Sequence, residues 1–319
     1  MSLLSAIYGS AVRTRNEFYD RGIFRARRLQ GPVVSVGNLS VGGSGKTPFV
    51  ILLGELLKSR GVKFDVLSRG YGRKTRGVLL VDPGGSAREF GDEPLLMARR
   101  LGVPVVVGED RFRAGVFAEA KFGPLLHLLD DGFQHRGLAR DFDVVLVSAD
   151  DARDELLPAG RLRESRLALR RADAVVLTSG ASADGFPLDG KLVWRVRRAI
   201  KPVKTPDHPV AFCGIARPQN FMLQLRKAGI EPAAEALYRD HHAYTEKDIR
   251  ELKALKDRSE AGGFVTTEKD AINLGGFFSA LEPIAVIPVA MDLADAANGV
   301  DTMLRIVRER APHERIGTG

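Results

Sequence analysis

Short apolar runs punctuate the chain. Those at residues 33–34, 63–68, 78–81, 103–107, 124–130, 142–147 and 174–178 each predict a strand. Between several of them, apolar residues recur three and four apart. That spacing predicts helices over 49–57 and 94–101, and another behind Asp110, whose carboxylate suits a helix N-cap, reaching about residue 121. Strand and helix alternating through residue 180 predict an α/β fold built on a doubly wound, mostly parallel sheet. Residues 193–198 alternate like a strand exposed on one face, and Pro202, Pro206 and Pro209 follow. A division is therefore expected within 190–207. The pattern then restarts, with strands at 210–215, 264–270 and 284–289, helices at 218–228 and after Thr245, and a closing helix at 299–309. The expected layout is a larger domain over 1–195 and a smaller α/β domain over 196–290. A C-terminal helix, about 291–319, is expected to pack back on the larger one.

The chemistry concentrates where apolar runs end. After Val33 and Val34 comes Ser35-Val36-Gly37-Asn38-Leu39-Ser40-Val41-Gly42-Gly43-Ser44-Gly45-Lys46-Thr47, and then a helix. Strand, glycine-rich turn, Gly-Lys-Thr and helix form the setting of a phosphate-binding P-loop. Glycines let the backbone curl its N–H groups inward, and the helix adds its positive end. Ser40 to Thr47 are thus the candidate nucleotide contacts: Ser40, Val41, Gly42, Gly43, Ser44, Gly45, Lys46 for the β- and γ-phosphates, and Thr47 for Mg²⁺. The strict pattern has Gly where this chain has Ser40.

The run 124–130 ends in Asp130-Asp131-Gly132-Phe133-Gln134-His135, 84 residues after Lys46. An apolar strand ending in Asp is the Walker B arrangement, so Asp130 or Asp131 is expected near Mg²⁺. His127, inside the strand, reads as a satisfied core histidine, whereas Gln134 and His135 lie just past its end, within reach of a ligand. Gly91-Asp92-Glu93-Pro94 opens a helix. Two acids there either complement the helix dipole or serve as a base (Asp92) and a metal contact (Glu93). Arg69 and Arg73 of Arg69-Gly70-Tyr71-Gly72-Arg73 follow another strand end, where ligands of open sheets sit. Arg161 and Arg163 could neutralise phosphoryl charge.

Composition narrows the partners. The chain has 319 residues, 44% of them hydrophobic, a net charge of +8 and a single cysteine. It contains no apolar run of about 18 residues that would span a bilayer, and no secretory signal is visible. Cys213 has no internal partner for a disulfide and reads as a small buried hydrophobe. The positive charge suits anionic partners. In residues 1–30, six Arg face Glu17 and Asp20, and Leu3, Leu4, Ile7, Tyr8 and Ala11 recur at helical spacing. This reads either as an amphipathic helix lying on an anionic membrane surface, or as a helix packed on the domain with a solvated basic face. Nucleic acid is a poor fit, because aromatics are only 7% and none interleaves with a dense basic patch.

Together these motifs resemble the tetraacyldisaccharide 4′-kinase family of lipid A biosynthesis. The resemblance also covers Leu157-Pro158-Ala159-Gly160-Arg161-Leu162-Arg163-Glu164, Asp240-His241-His242 and Thr267-Glu268-Lys269-Asp270. It implies transfer of the γ-phosphoryl of ATP, with Mg²⁺, to the 4′-hydroxyl of tetraacyldisaccharide 1-phosphate, forming lipid IVA. It implies a peripheral enzyme on the cytoplasmic face of the inner membrane, seated on lipid by its N-terminal helix; no obligate protein partner is inferred. It also implies that Asp92 acts with His241 and that Ser40 is natural to the loop. The other readings open at this point are a P-loop ATPase used as a switch, which would need neither Asp92 nor His241, and a basic nucleic-acid-binding module.

Overall fold

Apolar runs of four to six residues bury on both faces only in the middle of a sheet covered by helices, and here they do. The computed structural model describes residues 2–178, 180–200 and 203–311. The chain runs α1 (Leu3–Asp20), β1 (Val33–Asn38), α2 (Lys46–Lys58), β2 (Phe64–Ser68), β3 (Leu79–Leu80), α3 (Ala87–Phe90), α4 (Asp92–Leu101), β4 (Val105–Val107), α5 (Arg111–Phe122), β5 (Leu126–Asp130), β6 (Phe142–Val147), β7 (Ala174–Leu177) and β8 (Leu192–Ile200). It continues through β9 (Val210–Cys213), α6 (Pro218–Lys227), β10 (Ala234–Leu237), α7 (Glu246–Arg258), β11 (Phe264–Thr267), α8 (Glu268–Leu274), β12 (Ile284–Ile287), β13 (Val289–Leu293) and α9 (Ala296–Arg310).

Nine strands form one sheet in the order β13-β8-β7-β6-β1-β5-β2-β4-β3. Only the edge pairs β13–β8 and β3–β4 are antiparallel. The expected doubly wound, mostly parallel α/β sheet is what the chain forms. β5 lies between β1 and β2, with Val36 level with Asp130. The loops after β1 and β5 therefore leave the sheet side by side, in the crevice where open sheets bind ligands. A second, all-parallel sheet has the order β10-β9-β11-β12.

The chain leaves the large sheet after Ile200 and re-enters it at Val289. The run expected as one strand at 284–289 is thus two, in different sheets. Pro288 separates them, since it has no N–H for a ladder. β8 likewise runs past the division expected at 195. Residues 268–270, expected as the end of a strand, are helical: Thr267 caps α8 by accepting from Asp270 N at 3.1 Å. β10, whose Glu-Ala alternation is weakly apolar, was not expected.

The main core joins Phe49, Leu53 and Leu57 of α2 to Phe142, Trp194 and β13. Val300, Met303, Leu304 and Val307 of α9 are buried in it, so the closing helix does pack on the large sheet. Residues 312–319 of that expected segment lie outside the described residues. α1 is attached by polar contacts: Ser5 Oγ donates to Leu156 O (3.0 Å), Tyr8 to Arg163 O (3.0 Å) and Asn16 to Glu164 (2.6 Å). Its Leu3, Leu4 and Ile7 point outward at 78%, 64% and 59% exposure. The helix is packed on the body, and its free face is apolar in the first turns and polar or charged beyond them. Among the described residues no helix is long and apolar enough to cross a membrane.

Candidate active site

The glycine loop curls as its composition demands. Gly42, Gly43 and Gly45 all have positive φ, 77°, 43° and 86°, where a side chain is strained. Ser40 is not among the left-handed residues, so no glycine is required there and serine is tolerated. Instead its segment is pinned laterally, Val41 N donating to Arg161 O at 2.8 Å. Helix α2 starts at Lys46, directly behind the loop.

Lys46 is held by its neighbours. Its Nζ donates to Asn38 Oδ1 at 3.0 Å and lies 3.5 Å from Asp131. Asn38 is itself locked, donating to Ser40 O (2.6 Å) and receiving Arg163. Arg163 also grips both oxygens of Asp131, at 2.8 and 3.0 Å. Burial would raise the pKa of Asp131, but Lys46 and Arg163 hold it far below the usual carboxylate range.

Asp130 behaves oppositely. It is buried, accepts from Ser68 Oγ at 2.9 Å, and its Oδ1 has no hydrogen-bond partner among the described residues. Burial, then the charges of Glu93 and Asp131, push its pKa up to about 7. A buried carboxylate oxygen without a donor, under the charges of two further carboxylates, is the kind of oxygen ligand a hard cation such as Mg²⁺ takes. Among the described residues no group of three or more His, Cys, Asp or Glu is placed to hold a metal ion by itself. Mg²⁺ does not need one, since it keeps waters and takes phosphate oxygens as ligands.

The second constellation joins the two sheets. Asp92, buried at the start of α4, meets His241 Nδ1 at 2.8 Å. Lys269 Nζ, from α8, lies 3.2 Å from His241 Nε2, 2.8 Å from Asp240, 3.7 Å from Asp92 and 3.8 Å from Glu93. A lysine ammonium only donates, so a hydrogen bond at Nε2 makes His241 the Nδ1–H tautomer, donating to Asp92. Asn273 also donates to Asp92, at 3.1 Å. Burial raises the pKa of Asp92, but His241, Lys269 and Asn273 outweigh it and the net shift is downward. For His241, burial lowers and Asp92 raises, with a net rise. His241 has a left-handed φ of 57° and Asp131 one of 50°, a conformation tolerated where surroundings over-determine it.

The other expected contacts divide. Gln134 donates to Asn38 O at 2.9 Å, bracing β1 from behind. Arg73 bonds Glu109 (2.7 Å) and Gly77 O (2.6 Å), bracing its own loop. Arg161 bonds Asp154 at 2.7 Å and pairs with Asp150 at 3.3 Å. Arg69 is exposed, and its charge acts on the buried Arg111. Burial and Arg111 pull the His135 pKa down to about 4, so that ring is neutral. His127 is a core histidine, 2.8 Å from Asp65, and Cys213 is buried.

Sequence reasoning assigned no role to Asn38, Arg111, Lys269 or Asn273. Thr267 with Asp270 three residues on is a capping signal that could have placed Lys269 in the first turn of a helix. Nothing local marks Asn273.

A central β1–loop–α2 cradle, a Walker B carboxylate beside it and a separate acid–histidine pair define a P-loop phosphotransferase of the α/β class. The sequence profile described as Tetraacyldisaccharide-1-P 4′-kinase (LpxK) matches residues 1–308, and the chain belongs to that family. The tetraacyldisaccharide 4′-kinase of Koribacter versatilis is 50% identical over 97% of this chain and 99% of that protein. That of Geobacter metallireducens is 38% identical over 92% of this chain and 94% of that protein. The crystal structure of "apo" form LpxK from Aquifex aeolicus in complex with ATP superposes with a TM-score of 0.79 at 35% identity, covering 95% of this chain and 97% of that one.

Proposed function

We propose that this protein transfers the γ-phosphoryl of ATP to the 4′-hydroxyl of tetraacyldisaccharide 1-phosphate, giving the bis-phosphorylated lipid A precursor. The observation that carries the reading is the Asp92–His241 pair at 2.8 Å, assembled from two sheets beside the glycine loop. An ATPase switch needs no such pair. A kinase needs a carboxylate to take the acceptor's proton.

In this reading Lys46 and the loop amides hold the β- and γ-phosphates. Thr47 and Asp130, with Asp131 and Glu93 nearby, would hold Mg²⁺. When bound, the ion would supply positive charge against the phosphoryl charge that develops in transfer. Asp131, fastened by Arg163, keeps Lys46 extended toward the loop. Asp92 accepts the 4′-hydroxyl proton late in a loose transfer, so its low pKa is no obstacle. His241 donates to Asp92 and orients it, and Lys269 fixes the histidine tautomer. Arg69 and His135 face the same carboxyl edge of the sheet as candidate contacts for the glycolipid. Arg73, Arg161 and Gln134 support the loops that carry the site.

The exposed face of α1 supports membrane attachment. Its outward Leu3, Leu4 and Ile7, with Ile23 and Phe24 also exposed, sit in an Arg-rich segment. That pairing suits a peripheral position on an anionic leaflet, here assigned to the cytoplasmic face of the inner membrane. The two sheets act as two domains, here divided at about 200 and 288, that close over both substrates.

The test is incubation with γ-labelled ATP, Mg²⁺ and the tetraacyldisaccharide 1-phosphate in mixed micelles, beside Asp92→Ala. Label on the lipid, strongly reduced in the variant, supports the kinase. Label released only as free phosphate, indifferent to lipid, supports the ATPase switch instead.

A further inference from the structure

The start of α2 is short of donors. A helix leaves its first N–H groups free for an anion. Here the third helical position is Pro48, which has no N–H. The next amide, Phe49 N, already bonds Gly45 O at 3.1 Å. Only Lys46 and Thr47 remain to serve phosphates from the helix itself.

Two arginines lie against the same loop. Arg198, from β8, packs on Gly45 so closely that a Cβ there would fall 1.6 Å from its Nη2. Arg217, just before α6 and so from the small-sheet side, packs its Cγ on Gly43, 3.0 Å from where a Cβ would stand. Both line the cavity that holds Gly43 to Thr47. Arg217 Nη1 reaches Asp150 at 3.2 Å, while its Nη2 is buried without a hydrogen-bond partner among the described residues. Burial and the like charge of Arg217 pull the Arg198 pKa down. Two guanidinium groups thus stand against one phosphate loop, and their like charges favour an anion there.

We propose that Arg198 and Arg217 are a second phosphate clasp, gripping the phosphates of ATP nearer the base, where the helix lacks a donor. This rests on the nucleotide reading above and extends it to residues outside the glycine loop. Guanidinium forks match phosphate oxygens in pairs, and a point charge does so less well. Arg217 would exchange Asp150 for phosphate, drawing the small sheet onto the loop.

The full-length protein is titrated with ATP, ADP and AMP, and its lipid KM is measured. Arg217 is partly exposed, with its side chain at 26%, so Arg217→Met preserves the fold. It is expected to weaken ATP and ADP on the order of tenfold or more, with lipid KM unchanged. Arg217→Lys is expected to recover part of the loss, and Arg198→Met to act in the same direction. Asp150→Asn discriminates a clasp from a brace. A clasp predicts ATP binding as tight as wild type or tighter, because Arg217 is released. Equal ATP affinity in Arg217→Met and wild type overturns the clasp, and so does an Asp150→Asn loss matching that of Arg217→Met. A wild-type protein that binds no ATP overturns the nucleotide reading itself.

Discussion

His241 and Asp92 lie 2.8 Å apart although 149 residues separate them in the chain. The contact forms because α4 begins beside the glycine loop while the β10–α7 connection returns from the small sheet. Removing either partner should lower kcat by about 10²–10⁴-fold. ATP affinity should hold, since neither side chain touches the loop. His241 lowers the Asp92 pKa, so His241→Ala should raise it and move the acid limb of the kcat profile to higher pH. Steady-state kinetics across pH check both points, and an unmoved limb counts against the pairing.

Lys269 lowers the pKa of both members of the pair. Lys269→Met should therefore shift both titrations upward and reduce kcat with little change in KM for ATP. Lys269→Arg should restore part of the rate, because charge is kept but the 3.2 Å contact to Nε2 is not reproduced. The His241 ring shifts, followed by NMR against pH, report the change directly.

Two glycines should fail for different reasons. Gly45→Ala places a Cβ at φ 86° and into the Arg198 guanidinium. It should abolish measurable ATP binding while leaving a folded protein. Gly37→Ala drives a Cβ to 2.5 Å from the Phe133 Cβ and 2.9 Å from its backbone N. It should cost about 1–3 kcal/mol of stability. Denaturant unfolding and ATP titration of both variants separate the two effects.

The buried His127 carries a pH signature. Burial lowers its pKa, but Asp65 and Glu119 outweigh burial and raise it to about 9. Because the folded value lies above the ordinary 6.5, its stabilisation is complete below 6.5 and is lost as pH rises through about 9. Asp65→Ala leaves a buried histidine short of its main partner and should cost about 3–5 kcal/mol. Unfolding free energies at pH 6 and pH 10 should converge between variant and wild type at the higher pH.

The outward face of α1 should act in membrane binding without supporting the fold. Leu3→Glu with Ile7→Glu should reduce sedimentation with anionic vesicles on the order of tenfold or more. Thermal unfolding should be unchanged, because Ser5, Tyr8 and Asn16 make the attachments to the body. Equal vesicle binding would assign the basic residues alone.

The glycine loop and the Asp130-Asp131 turn were legible because their chemistry is local: residue types at fixed spacing behind an apolar strand specify a cradle wherever the strand lies. The doubly wound sheet was legible for a similar reason, since runs buried on both faces cannot form a half-exposed sheet. Periodicity reports that a face is buried, not what buries it. It could not place β13 beside β8, or show that Pro288 hands the chain from one sheet to the other. Nor could it separate Asp130 from Asp131. Arg163 and Lys46 claim one, and the other keeps a free buried oxygen.

The sequence by itself therefore determined the phosphate cradle, the strand order's parallel character and, through resemblance, the partners Asp92 and His241. Tertiary structure alone decided that Lys269 and Asn273 surround that pair, and that Arg198 and Arg217 lean on the glycine loop. Such contacts join residues far apart in the chain. Their geometry depends on how two sheets pack, and no local spacing encodes that.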